Sequence, residues 1–206
     1  ESSRKNVIKN FLLFTDYEKK VSKCLIMARD TVSIVKMSRR EGYALHPKAH
    51  KALVKRTSMP GQQTQSGYRR KASQYSLQLR EKQKVKRLYG LLEKQFRNLM
   101  KEADKSKEQS GMVLLRFLEQ RADNAVYRSG LATSRRAARQ LVSHGHFELN
   151  GRRVDVPSIR LKVGDELSLR DGSKKSEYFK QIDDVSPAPS EIPMWLNVDR
   201  KKFVIK

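Results

Sequence analysis

Apolar residues in the middle of the chain recur at three- and four-residue steps, the period of one face of an α-helix. The pattern predicts a helix over about residues 75–103, whose buried face is formed by Val85, Leu88, Leu92, Phe96 and Leu99. Nearer the start of the chain, Ser38 and Glu41 have the spacing of a capping box, so we expect a short helix to begin there.

Two shorter amphipathic helices follow the long one. The first is predicted over residues 112–128, with Gly130 placed to end it. The second is predicted over residues 135–143, with Thr133 or Ser134 as its N-cap. A tight turn therefore joins the two.

The period then changes from helical spacing to strict alternation, which is typical of strands. Residues 147–149 and 152–156 flank Asn150-Gly151, a dipeptide suited to a two-residue hairpin turn. The alternation continues at Ile159, Leu161, Val163, Leu167 and Leu169. The fold class predicted is α+β, with two helices packed on a small, mostly antiparallel sheet.

Charge changes this picture more than overall composition does. The 206 residues include 45 Lys and Arg but 22 Asp and Glu, which leaves a net charge of +23. A compact state with this charge repels itself unless a polyanion neutralises it, and nucleic acid is the expected polyanion. No apolar run approaches the roughly 18 residues of a membrane span, so we expect no membrane partner.

The basic excess is concentrated between residues 27 and 110. Within that block, residues 59–74 are polar and basic and contain almost nothing to bury, so we expect an arm that orders against RNA. The charged faces of the long helix are either solvated or in contact with RNA. The excess of Lys and Arg over Glu81 and Glu93 favours RNA.

The helix predicted at residues 135–143 begins with Arg135 and Arg136, where the helix dipole disfavours cations. A phosphate bound to the free amides of the first turn and to both guanidinium groups resolves this conflict. We therefore expect a phosphate clamp at this turn, the alternative being ordinary solvent-exposed arginines.

Other chemistries find less support in the sequence. The single cysteine, Cys24, excludes an internal disulfide and a cysteine-based zinc site. His144 and His146 are a close pair, but a tetrahedral metal site needs further ligands, so we expect no metal and no cofactor. Trp195 either stacks on a base or packs a returning segment onto the first domain, and the nearby Pro187, Pro189 and Pro193 favour packing.

Several segments resemble the helix-helix-sheet RNA-binding domain named after ribosomal protein S4. They are Ser134-Arg135-Arg136-Ala137-Ala138-Arg139-Gln140-Leu141-Val142, Gly145-His146, Asn150-Gly151, Pro157-Ser158 and Val163-Gly164-Asp165. The flanks resemble the bacterial-type ribosomal protein S4 family itself, in Ser38-Arg39-Arg40-Glu41-Gly42, Pro60-Gly61-Gln62, Leu79-Arg80-Glu81-Lys82-Gln83-Lys84-Val85, Tyr89-Gly90, Val126-Tyr127-Arg128 and Trp195-Leu196. The resemblance covers roughly residues 27–199.

This resemblance implies a structural constituent of the small ribosomal subunit that is not an enzyme. Members bind small-subunit rRNA at a junction in its 5′ domain early in assembly and border the path where mRNA enters. The implied partners are therefore that rRNA, neighbouring ribosomal proteins and mRNA, with no small-molecule substrate, and the implied location is the cytoplasm. The candidate RNA-binding residues are Arg39, Arg40, Arg69, Arg70, Lys71, Arg80, Lys82, Lys84, Arg87, Arg121, Arg128, Ser134, Arg135, Arg136, Arg139, Gln140, His144, Asn150 and Arg152.

The resemblance also implies how the chain is divided. Residues 27–105 and 171–206 are expected to form a mainly helical rRNA-binding domain, into which residues 106–170 insert as the S4-type domain. Residues 1–26 precede the family's usual start and are expected to be a lineage-specific extension or a mistaken upstream reading. The family usually continues well past the Trp195 segment into a strand-forming tail, whereas this sequence ends at Lys206, so a truncated end is one alternative. Gln63 stands where His is common in the family's arm.

Two alternatives remain open at this point. The same RNA-binding domain anchors RNA-modifying enzymes such as pseudouridine synthases, but no catalytic Gly-Arg-Leu-Asp-type segment and no catalytic domain are visible. Regulatory binding of the protein's own messenger by the same basic surface is compatible with the residues and with the family.

Overall fold

A computed structural model describes residues 32–56, 58–61, 73–186, 192–200 and 202–205. The extension at residues 1–26, Cys24, Gln63 and most of the predicted arm, including Arg69, Arg70 and Lys71, lie outside the described residues. Among the residues described, no helix has both the length and the apolar character to cross a bilayer.

The first part of the fold is helical. It comprises α1 (Ile34–Glu41), α2 (Ala49–Lys55), α3 (Gln74–Leu88), α4 (Glu93–Ala103) and α5 (Ser110–Glu119). Tyr89, Leu91, Phe96, Leu114 and Leu118 are buried in the cluster that joins α4 to α5.

The long helix predicted over residues 75–103 is two helices. The chain leaves helical geometry at Gly90, which has φ of +64°, a conformation that glycine adopts without steric cost. The buried face of the pattern is nevertheless right, because Phe96 is buried and Val85, Leu88 and Leu99 pack against the same cluster.

The predicted capping box is wrong. Helix α1 begins at Ile34, so Ser38 lies inside the helix rather than at its N-cap. Its hydroxyl instead accepts a hydrogen bond from the Leu45 amide at 3.3 Å. The Glu41 carboxylate accepts a hydrogen bond from Arg80 on α3. Ser38 and Glu41 therefore have the spacing of a capping box by coincidence, and their side chains make other contacts.

The helix predicted over residues 112–128 is also interrupted, at Gln120 and Arg121, between α5 and α6 (Ala122–Arg128). The segment 157–161 packs against this break: the Ala122 amide donates to the Ile159 carbonyl at 2.9 Å, and the Leu161 amide donates to Gln120 at 2.8 Å. An extended segment that is distant in sequence thus forms hydrogen bonds with the backbone groups left free at the break.

Helices α6 and α7 (Arg135–Ser143) pack on the sheet as predicted. Ser134 is the N-cap of α7, and its hydroxyl accepts from the Ala137 amide. Val126 from α6 and Ala138 and Val142 from α7 share a core with Phe147 and Leu167 of the sheet.

In the described part of the chain, the sheet has five strands in the order β2-β1-β3-β5-β4, and every pairing is antiparallel. The strands are β1 (Phe147–Leu149), β2 (Arg152–Val154), β3 (Leu167–Leu169), β4 (Val198–Asp199) and β5 (Val204–Ile205). Asn150 and Gly151 both have positive φ, which confirms the predicted two-residue turn. The strand expected over 159–163 is reduced to one bridge, between Arg121 and Arg160.

The described part of residues 171–206 packs on this sheet. It contains the short helices α8 (Asp171–Lys174), α9 (Glu177–Lys180) and α10 (Ile182–Val185), and Phe179, Ile182 and Ile205 are buried in the sheet's core. This packing differs from the predicted grouping with residues 27–105, because pairing of β5 with β3 buries these apolar side chains against Leu167 and Leu169. Trp195 remains 52% exposed rather than packed in a core.

Candidate nucleic-acid interface

Helix α7 presents one row of polar and basic side chains to solvent. Arg136, Gln140 and His144 are exposed and Arg139 is half-buried, at spacings that share a face of the helix. The helix contains three arginines and no carboxylate. We call Arg136, Arg139, Gln140 and His144 the outward row.

The outward row lies beside the helical part of the protein. The Arg139 guanidinium is 3.4 Å from the Gly90 carbonyl, at the turn between α3 and α4. Burial and then the nearby charges of Lys48 and Arg136 lower the pKa of His46, which follows α1. The charge of Arg136 on α7 thus acts on His46, which belongs to the helical part of the chain.

Arg135 does not belong to this row. Its guanidinium lies 4.9 Å from the centre of the Tyr89 ring and 4.6 Å from that of Tyr127, within cation–π distance of both. Its Nε donates to Asn124 Oδ1 at 2.9 Å. The predicted two-arginine clamp is therefore divided: Arg136 faces solvent, whereas Arg135 faces inward.

Below Arg135 lies a cluster centred on Glu119. The carboxylate accepts hydrogen bonds from Tyr89 at 2.5 Å, Asn124 at 2.7 Å and Arg128 at 2.8 Å. Burial opposes its ionisation, but these three donors outweigh burial, and the pKa of Glu119 is lowered. Burial, and then the hydrogen bond to Glu119, raise the pKa of Tyr89 to about 12. We call Glu119, Tyr89, Asn124 and Arg128 the Glu119 cluster.

Arg121 is also turned inward. It is 6% exposed and donates from Nε and Nη2 to the Asp123 carboxylate at 3.0 and 2.8 Å. This bidentate pair at the break between α5 and α6 occupies both groups. The Arg121 side chain is therefore part of the packed interior, and Arg128 forms an ion pair with Glu119.

The basic residues of α3 are mostly paired. Arg80 and Arg87 both contact Glu41, whose side chain is fully buried. Lys82 pairs with Glu93 and Lys84 with Glu81. Hydrogen bonds from Lys82 and Lys86 lower the pKa of Glu93 to about 2. Sequence reasoning counted the basic excess on this helix but did not foresee its distant carboxylate partner on α1.

Four further candidates divide between exposed and structural positions. Arg39 donates to the Ser58 carbonyl at 3.1 and 2.9 Å, whereas Arg40 is exposed. Both ends of the Asn150 amide are occupied, by Asp165 and by the Glu166 amide, so this side chain ties the hairpin to the segment before β3. Arg152 is exposed on β2.

The structure adds positions that the predicted set omitted. The Arg153 side chain lies against Gly145, next to His144, and so extends the outward row onto the sheet. On α4, exposed residues follow helical spacing at Lys94, Arg97 and Lys101. The same helical spacing is visible in the sequence, on a charged face of the long helix predicted there.

The histidine pair has a local explanation. The rings of His144 and His146 are 6.0 Å apart, and His146 Nδ1 lies 3.0 Å from the Ser173 hydroxyl. Within the described ranges there is no group of three or more His, Cys, Asp or Glu placed to hold a metal ion. His144 remains exposed at the end of the outward row.

Two helices on a small antiparallel sheet, with a basic helix face turned to solvent, define an RNA-binding protein of the S4-domain class. Residues 120–167 match the family model of the S4 domain, and residues 29–119 match the Ribosomal protein S4/S9 N-terminal domain. The boundary between these matches falls directly after Glu119.

Similar proteins extend the match over most of the chain. The Small ribosomal subunit protein uS4 of Clostridioides difficile is 49% identical over 186 residues, which cover 87% of this chain and 88% of that protein. The protein of the same name from Chlorobium limicola is 50% identical over 175 residues, covering 84% and 85%. The chain belongs to the uS4 family of small-subunit ribosomal proteins.

Family membership confirms the resemblance seen in the sequence and the α+β fold class. It also confirms the expectation of a structural ribosomal protein rather than an enzyme. The residue-level assignments stay predictions, as do the limits of the two domains.

Proposed function

We propose that this protein binds small-subunit rRNA directly through the outward row of α7, nucleates the 5′ domain of that RNA during assembly, and borders the mRNA entrance through the arm at residues 59–74. It acts in the cytoplasm, within the small subunit and beside neighbouring ribosomal proteins. The observation that carries the proposal is the outward row itself: a solvent-facing helix side with arginines and no carboxylate.

Several features support phosphate contact at this surface. Arg136 forms no ion pair with another residue in the described part of the chain, so no carboxylate must be displaced when a phosphate binds. Arginine offers paired donors that match phosphate oxygens. The nearby amides at the start of α7 and the exposed Arg152 and Arg153 extend the positive surface.

The net charge of +23 supports the choice of a polyanion, because each phosphate neutralised releases counterions into solution. The choice of the 5′ domain and of the mRNA entrance rests on family membership and on the basic composition of the arm at Arg69, Arg70 and Lys71.

The test is competition binding of the full chain to the rRNA 5′ domain against an unrelated folded RNA of equal length, at several salt concentrations. Replacing Arg136 and Arg139 with Gln should weaken rRNA binding by about tenfold or more and flatten the salt dependence. The matched control replaces two exposed lysines near the C-terminal helices, Lys175 and Lys180, with Gln. This control variant should bind rRNA nearly as tightly as the unaltered chain does.

Equal losses in the two double variants would contradict the outward row as the contact. Equal affinity of the unaltered chain for both RNAs at every salt concentration would contradict specific rRNA binding.

A further inference from the structure

The contacts of Arg135 cross the boundary between the two family segments. Tyr89 and Glu119 lie in the segment that matches the S4/S9 N-terminal domain, whereas Asn124, Tyr127 and Arg135 lie in the segment that matches the S4 domain. The Arg135 guanidinium contacts both the Tyr89 ring and the Tyr127 ring. It is therefore a direct bridge between the α3–α4 turn and α7.

Further contacts hold the bridge in place. Asn124 accepts from Arg135 and donates to Glu119, and Glu119 in turn accepts from Tyr89. The guanidinium, the two rings and the Glu119 cluster thus form a closed circuit of hydrogen bonds and cation–π contacts. Such networks strengthen each other when they are shielded from water, and Tyr89 is 9% exposed.

The geometry points to Arg135 as a positioning residue: by gripping Tyr89 and Tyr127 it fixes the orientation of α7 relative to the α3–α4 turn, and so presents the outward row and the helical region to RNA as one preformed surface. The inference rests on the proposed function for the identity of the RNA. It replaces the expected direct phosphate contact of Arg135 with an indirect one.

The physical reason is preorganisation. The residue next to Arg135 is Arg136, and one turn along the helix Arg139 approaches the Gly90 carbonyl. If α7 rotated relative to the α3–α4 turn, the distances from Arg136 and Arg139 to the basic groups of α1 and α4 would change. Fixing that spacing before binding removes an ordering cost that RNA binding otherwise has to offset.

A salt titration distinguishes positioning from direct contact. A plot of log affinity against log salt concentration falls with a slope whose magnitude grows with the number of phosphate contacts. Removing one contact reduces that magnitude by about one. Arg136→Gln should therefore reduce the slope. Arg135→Met keeps the volume of the side chain but removes its charge and its plane, and it should weaken rRNA binding by about fivefold, the scale of one cation–π contact, with the slope unchanged. A slope lowered as far as in Arg136→Gln would overturn the inference.

A second measurement needs no RNA. Spin labels at Arg97→Cys on α4 and Arg152→Cys on β2, in a Cys24→Ser background, report the distance between the two regions by pulsed electron resonance. Arg135→Met should broaden or shift the distance distribution while circular dichroism shows an intact fold. Arg136→Gln is the control and should leave the distribution as it was. An unchanged distribution in Arg135→Met would overturn the inference.

Two tyrosine variants protect the test against a folding failure. Tyr127→Phe keeps the ring and should preserve the distances, whereas Tyr127→Leu removes the ring and should change them as Arg135→Met does. Identical distances in both variants would count against the stack. A change in distances combined with no preference for rRNA would overturn the proposed rRNA function but not the positioning of α7.

Discussion

Arg135 and Arg136 are adjacent in sequence and have opposite roles in the structure. Arg135 contacts two tyrosine rings, whereas Arg136 is exposed to solvent. The same contrast holds for Arg121, which is paired with Asp123, and for Arg152, which is exposed on β2. An arginine in a basic protein is therefore not by itself a binding residue, because its role depends on which groups face it.

We call Arg80, Arg87, Arg121, Arg128 and Arg135 the inward group, and the first four of them pair with carboxylates. Glu41 forms ion pairs with Arg80 and Arg87. Glu119 pairs with Arg128, and Asp123 pairs with Arg121. Each acid is buried or half-buried, so water competes weakly for the charge. Among the described residues, Arg136, Arg139 and Arg152 form no ion pair with a buried carboxylate, and the proposed function assigns them to phosphate.

The largest expected effect comes from unpairing an inward arginine. Asp123→Asn leaves the buried Arg121 guanidinium without its counter-charge and should lower the free energy of unfolding by about 3–5 kcal/mol. Chemical denaturation measures it. Arg152→Gln, on the exposed side of the comparison, should change stability by less than about 0.5 kcal/mol. Similar losses in the two variants would show that the division into inward and outward arginines has no energetic content.

A smaller effect is expected where the arginines are partly exposed. Glu41→Gln removes the shared partner of Arg80 and Arg87, whose side chains are 37% and 17% exposed. Solvent screens part of the loss, so we expect about 2 kcal/mol in denaturant unfolding. The matched control is Glu81→Gln on α3, since Glu81 is 70% exposed and should contribute less than about 0.5 kcal/mol. A Glu41→Gln variant as stable as that control would remove Arg80 and Arg87 from the inward group.

Gly145 provides a test of whether an exposed arginine, Arg153, is free to move. This glycine has φ of +71°, and a Cβ there would lie 2.5 Å from Arg153 Nε. Gly145→Ala should cost about 1–2 kcal/mol from the backbone conformation, with the flexible arginine moving away at little cost. The loss in thermal unfolding should therefore be the same in an Arg153→Ala background. A loss that disappears in that background would mean that Arg153 is held as firmly as the inward arginines.

The smallest effect is expected at high pH and concerns Tyr89, whose ring contacts Arg135. The pKa of Tyr89 is raised from 10.0 to about 12, so its protonated form is favoured in the folded state. This contribution to stability is fully present below pH 10 and is lost as the pH rises from 10 towards 12. Tyr89→Phe should flatten this part of the decline in unfolding midpoint, whereas Tyr75→Phe, at an exposed site, should not. Parallel declines in all three proteins would contradict a proton held at Tyr89.

Local patterns in the sequence were sufficient for much of the fold. The Asn150-Gly151 turn, the Ser134 cap and the helix Arg135–Ser143 are all where residue type and spacing predict them. The breaks at Gly90 and Arg121 were missed because the apolar period continues across them. The Ser38 and Glu41 capping box was a false match, because short spacing rules do not reveal tertiary partners.

For the candidate site, the sequence by itself identified the RNA-binding class, the family and the helix that carries the outward row, because these depend on composition and on residues close together along the chain. It did not separate Arg136 from Arg135, Arg121, Arg80 and Arg87. For Arg135, the separation depends on Tyr89, and for Arg80 and Arg87 it depends on Glu41; both partners are distant in sequence. Arg121 is held by Asp123, a near neighbour whose pairing the residue types alone did not reveal. The direction of an arginine is set by the charges and rings that folding places around it, and those neighbours exist only once the chain has packed.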